Sequence, residues 1–155
     1  MIKVGVIDSG VPHNCDNIIA SHNFSNSTSN CLDTLGHGSA VIHAISQQNR
    51  ASIYSAKIFD KTLISQSQQV YEAIDWLLSL QVDVINMSFG LRHDITQLAQ
   101  ICQKAINQGV ILVAASPSQG PPVYPSNYPG IIRATGDARC RMGEIASLNS
   151  PQADL

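Results

Sequence analysis

The feature that most restricts how this chain can fold is an alternation of short apolar runs and helical patterns. The runs are Ile2–Ile7, Ile53–Ile58, Val82–Met87 and Val110–Ala115, all rich in β-branched residues. Continuous apolar runs of this length suit strands covered on both faces, and the interleaved helices supply the covers. The clearest helix carries Val70, Ala73, Ile74, Leu77 and Leu78 at the i, i+3, i+4, i+7, i+8 positions. Another places Ile95, Leu98, Ala99, Cys102, Ala105 and Ile106 on one face, with Gly109 suited to its stop. A third begins near His37 and runs through Val41, Ile42, Ala44 and Ile45. The pattern predicts an α/β fold built on a parallel sheet. Residues 12–35, rich in Asn, Ser and Thr, read as loop, and the five prolines from Pro117 to Pro129 demand another. Ile131–Ala134 gives one more short strand, and the tail from Gly136 has no pattern.

Bulk properties then exclude several function classes. With 155 residues, 44% hydrophobic and 13% charged, the chain is one globular domain poor in charge, so some apolar surface is expected to meet a partner. A net charge of -2 offers no basic patch, so no nucleic acid partner is expected. The longest apolar run, Val110–Ala115, is far too short to cross a bilayer, so no membrane is expected either. Met1-Ile2-Lys3 enters a strand directly, and no secretory leader is expected. Cys15, Cys31, Cys102 and Cys140 show neither a CxxC nor a Cys/His ligand spacing. They read as thiols of a reducing cytoplasm, with no metal and no cofactor expected. No strand is followed by G-x-G-x-x-G or G-x-x-x-x-G-K, which argues against a nucleotide-binding domain.

In an open parallel sheet, reactive groups gather beyond the carboxyl ends of the strands. Asp8 ends the first predicted strand, Asn86–Gly90 follows the third, and Ser116–Gly120 follows the fourth. His37 opens a helix rising from the same edge. A single Asp after a strand is ordinarily a turn former, and a single His at a helix start is ordinarily structural. Four segments converging on one rim weaken both of those readings.

The stretches Val4-Gly5-Val6-Ile7-Asp8-Ser9-Gly10, Gly36-His37-Gly38-Ser39, Asp83-Val84-Ile85-Asn86-Met87-Ser88-Phe89-Gly90 and Gly109-Val110-Ile111-Leu112-Val113-Ala114-Ala115 resemble the N-terminal part of a subtilisin-like serine protease, a subtilase. Tyr124-Pro125-Ser126-Asn127-Tyr128-Pro129, followed by Ile131-Ile132, resembles the family's proline-rich loop and next strand. Their order and spacing are specific, and the resemblance runs over nearly the whole chain. It implies a three-layer parallel sheet with helices on both faces, truncated at its C-terminal side, so that residues 1–155 form a partial peptidase domain. It also implies roles. Asp8 would be the triad carboxylate and His37 the general base. Asp33 would line the cleft. Ser88-Phe89-Gly90 and Leu63-Ile64-Ser65 would form opposite edges that pair with an extended peptide backbone. Ala114 and Ala115 would wall the pocket for the residue before the scissile bond.

Several positions depart from the family pattern. No Gly-Thr-Ser-Met-type elbow follows before Leu155, so the nucleophile is missing from the sequence. The oxyanion-hole Asn falls on Ser118, a shorter donor, with Pro117 stiffening the turn. In subtilisin itself, losing that donor costs about 10²–10³ in turnover. Ala40 stands where the family has a second His, and the short loop Gln47-Gln48-Asn49-Arg50 implies no calcium site. Ser9 and Ser39 lie near the acid and base but not on a strained strand-to-helix turn, so capping or buried hydroxyl roles suit them better than nucleophilic ones.

Two readings stay open. One is a subtilisin-like endopeptidase acting on extended peptides, present as a fragment or as one half of a split pair. The other is a catalytically dead, peptide-binding scaffold. In both, the chain is expected to show negligible proteolysis alone and to pair with a complementing chain or with itself.

Overall fold

The computed structural model describes residues 1–25, 30–48, 51–141, 143–148 and 150–155. The chain runs β1 (Lys3–Asp8), β2 (Ile18–Asn23), α1 (His37–Gln48), β3 (Ser52–Lys57), α2 (Ser67–Ser79), β4 (Val84–Met87), α3 (Thr96–Asn107), β5 (Ile111–Ala115) and β6 (Ile132–Ala134). All six strands join one sheet in the order β2-β3-β1-β4-β5-β6, and every pairing is parallel.

Alternation along each strand sends residues to two different cores. Ile7, Ala56, Ile85, Met87, Leu112 and Ala114 point toward α2 and α3, where they meet Val70, Ile74, Leu77, Leu98 and Ile101 in the larger cluster. Val4, Val6 and Ile53 point the other way, against Ile42 of α1. The expected three layers, with helices on both faces, are therefore present. Gly5 suits this packing, since a Cβ there would stand 2.8 Å from the end of the Leu77 side chain, which would have to shift.

The connection β2-α1-β3 and the connection β3-α2-β4 step across the sheet in the same direction, yet α1 and α2 lie on opposite faces. The two crossovers therefore have opposite hands, although nearly all such connections are right-handed. The consequence is local: α1 arrives on the face from which the even-numbered residues of β1 project, Asp8 among them.

The reading of residues 12–35 as loop needs correction, because Ile18–Asn23 forms the edge strand β2. Among the described residues it pairs on one side only, with β3. Ile19, Ser21 and His22 are exposed, so this strand never buries a continuous apolar face, and its composition resembles that of a turn. At the opposite edge, the patternless tail folds back along β6. Asp154 and Leu155 donate their amides to the Arg133 carbonyl, and Thr135 donates its own to the Leu155 carbonyl. The Arg133 guanidinium clasps the Asp154 carboxylate through two nitrogens, at 2.6 and 3.2 Å. Residues 49 and 50, in the loop where no calcium site was expected, lie outside the described residues.

Candidate active site

Strand order reverses at β1, with β3 on one side of it and β4 on the other. Asp8 ends that strand, so it stands where a parallel sheet opens a crevice. The next turn is made by Gly10 at φ 122°, where a Cβ would also press into the carbonyl oxygen of Cys31. Glycine serves both demands at once.

Helix α1 begins at His37, and Gly38 brings its first turn against the β1 turn. A Cβ on Gly38 would stand 2.6 Å from the Gly10 carbonyl oxygen. The approach places His37 Nδ1 2.7 Å from Asp8 Oδ1. A carboxylate only accepts, so Nδ1 carries the proton and Nε2 is left as the basic nitrogen. The Asp8 side chain is fully buried, while that of His37 is 38% exposed. Asp8 Oδ1 also accepts the Ser9 amide at 2.7 Å, whereas Oδ2 is buried with no hydrogen-bond partner among the described residues.

Ser9 and Asp33 lock this arrangement. The buried Ser9 hydroxyl donates to Asp33 Oδ1 and accepts the amide of Gly38, both at 2.8 Å. The Asp33 carboxylate accepts the amides of Leu35, Gly36 and Ser39 as well, at 2.8–2.9 Å. It thus satisfies amides leading into and opening α1, where negative charge is favoured. Burial pushes the Asp33 carboxyl up, but hydrogen bonds from Ser39, Ser9 and Gly36 outweigh it and hold its pKa at about 2.

The other expected site residues gather less tightly. Ser88, Ala114 and Ala115 share a cleft of about 240 Å³ with Asn86 and Thr135. Asn86 Nδ2 donates to the Ser88 hydroxyl at 2.9 Å. Phe89 meets Phe59 edge-on at 5.7 Å. Gly90 passes so close to Val123 that a Cβ would stand 2.6 Å from its side chain, and a bridge between Leu91 and Tyr124 follows at once. Leu63 and Ile64 are exposed, in a segment that belongs to no described strand. Ile64 and Ser65 line a separate cavity of about 440 Å³. Ser118 is exposed on the loop after β5 and makes no hydrogen bond among the described residues. Its neighbour Ser116 is the anchored one, donating its hydroxyl to the Gln152 carbonyl at 2.6 Å.

Sequence reasoning left out the bridging role of Ser9, the cleft position Thr135 and the buried Lys57, and it put Asn86 on the rim without giving it a role. An Asn inside the apolar run of β4 is a readable signal. The others depend on which loops meet.

With an acid, a base and their supports on one rim, comparison with known proteins decides the family. The sequence model of the subtilase family, peptidase S8, matches residues 1–154. The chain belongs to the subtilase family. It is 34% identical to the minor extracellular protease Epr of Bacillus subtilis, over 96% of this chain and 25% of that protein. It is 32% identical to subtilisin amylosacchariticus of Bacillus subtilis subsp. amylosacchariticus, over 84% of this chain and 39% of that protein. Against subtilisin of Bacillus pumilus the identity is 31%, over 84% of this chain and 54% of the relative. This subtilase sequence thus spans between a quarter and about half of the length of these relatives. Among the described residues, no helix of the subtilase is long and apolar enough to cross a membrane.

Proposed function

We propose that Asp8 and His37 are the carboxylate and general base of a serine-type endopeptidase centre for extended peptides, completed by a Ser-bearing segment outside these residues. The observation that carries this reading is the 2.7 Å contact between His37 Nδ1 and the buried Asp8 Oδ1. It fixes the tautomer whose free Nε2 can take a hydroxyl proton, and it stabilises the imidazolium that forms. Substrate would lie between Ser88-Phe89-Gly90 and Leu63-Ile64-Ser65, with Ala114 and Ala115 beside the residue preceding the cleaved bond. Asp33 supports the base from behind while its loop borders the cleft.

An uncovered apolar strip on the sheet supports the idea of a completing segment. On the α1 side, Ile111 and Val113 of β5 have no described helix over them, and Ile111 is 51% exposed. A Ser-bearing helix from a partner chain, or a second copy of this chain, would cover that apolar strip. No cofactor enters this chemistry.

A fluorophosphonate probe tests the reading. The 155-residue chain alone should not be labelled, whereas adding a segment with a Gly-Thr-Ser-Met-like elbow should restore labelling. Asp8→Asn should then lower turnover by about 10⁴, as expected when the imidazole loses its tautomer. Labelling of the isolated chain refutes the proposal.

A second reading, a peptide-binding scaffold without catalysis, is favoured by the exposed Ser118 at the oxyanion position and by Pro117 in the turn before it. Peptide binding that survives while every complementing segment fails would select it. We also assign the chain to the cytoplasm, because Cys15, Cys31, Cys102 and Cys140 are free thiols. The relative named as extracellular points the other way, and cell fractionation decides.

A further inference from the structure

Lys57 is 1% exposed, an expensive place for an ammonium group. Its Nζ donates to the Leu32 carbonyl at 2.8 Å and lies 3.1 Å from Asp60 Oδ1. These acceptors belong to different loops. Leu32 precedes Asp33 in the segment that runs into His37. Asp60 belongs to the loop after β3 that leads to Leu63-Ile64-Ser65. Thr34 ties the same two loops again, its hydroxyl donating to the Asp60 carbonyl at 2.7 Å.

The position of Lys57 is also set from the sheet. It is the register partner of Asp8 on the adjacent strand, so both side chains leave the same face. The Ile58 amide donates to the Asp8 carbonyl at 2.8 Å, and the Phe24 amide to the Lys57 carbonyl at 2.7 Å. An apolar side chain of similar length would avoid the desolvation cost, so stability alone does not account for a lysine here. An ammonium offers several donors at one tip, and here they reach both loops.

We propose that Lys57 is a positioning residue, a buried strut that holds the loop leading into His37 and the 60–65 loop in one relation, so that the base and one peptide edge move as a unit. The meaning of that unit for peptide handling rests on the function proposed above. The strut itself does not.

Amide hydrogen exchange on the 155-residue chain tests it. Lys57→Met should lower protection of the Leu35, Gly36, Gly38 and Ser39 amides by about tenfold, while Ile85 and Leu112 keep theirs. The His37 Nδ1 proton resonance should broaden in the same variant. Thr34→Val, which alters an exposed side chain, should reproduce the pattern at about threefold and carries the test if Lys57→Met does not fold. Unchanged protection at 35–39, or an equal loss across the whole sheet, overturns the proposal. Binding of unfolded casein by the wild-type chain is measured separately. Its absence would sink the peptide reading and leave the strut standing.

Discussion

The corner around Asp8 and the loop around Ser118 stand at the ends of strands of one sheet, yet they are built differently. At the first, the turn is closed by a glycine at φ 122° whose Cβ would press into backbone, both oxygens of Asp33 are engaged, and Ser9 bridges two segments. At the second, Ser118 is exposed and unbonded among the described residues, and Gly120 has open space around it at φ 102°. Under the function proposed above, the half that would handle the proton is held by hydrogen bonds within the chain, and the Ser118 side chain that would meet developing charge is held by none among the described residues. Preorganisation is costly and is found where an error in geometry would be most damaging. In this chain that place is the tautomer and direction of one imidazole.

The contrast is tested most severely by adding one methyl group at each end. Gly10→Ala forces a Cβ into the Cys31 carbonyl at a φ that L-residues avoid, and should cost about 3 kcal/mol or more. Gly120→Ala meets only the backbone strain, about 1–2 kcal/mol. Urea unfolding of the two variants measures the gap. Equal losses would mean that the corner is no tighter than the loop.

Asp33 sharpens the comparison through pH. Its carboxyl titrates near 2 in the folded chain against an ordinary value of 3.8. A lowered folded pKa means that the contribution is fully present above the unfolded value and is lost as pH falls through the folded one. The window is therefore about pH 4 down to pH 2, and the size is about 1–2 kcal/mol after allowance for partial exposure. Asp33→Asn should be less stable than wild type at pH 5, with the gap closing by pH 2. A constant gap across that range would show that the carboxylate charge is not what holds the loop.

Much of this was legible in the sequence because burial writes a strong pattern. The strands β1, β3, β4 and β5 are short apolar runs, and α2 and α3 carry clear stripes; both faces of the sheet are covered at β1 and β3, and β5 is covered on the α2 and α3 side. Strand β2 was not legible because an edge strand with exposed Ser21 and His22 has only half of that constraint. At the site, Asp8 and His37 announced themselves through glycine-flanked turns. Lys57 did not, because a single lysine near the end of an apolar run reads as a side chain that reaches water. Its burial becomes visible only when Leu32 and Asp60, far apart in sequence, arrive from two loops. The same applies to Ser9, whose partners lie 24 and 29 residues away.

The smallest expected effect is at Ser118, and it probes the loose side of the contrast. The side chain is exposed and no hydrogen bond of its hydroxyl is found among the described residues. Ser118→Ala removes nothing the free fold uses, so its unfolding free energy should stay within about 0.5 kcal/mol of wild type. The matched control is Ser9→Ala, which strips one donor from Asp33 and leaves the Gly38 amide without its acceptor in a buried place. That change should cost about 1–3 kcal/mol. If Ser118→Ala cost as much as Ser9→Ala, the loop after β5 would be wired as firmly as the corner, and the contrast between the two would not hold.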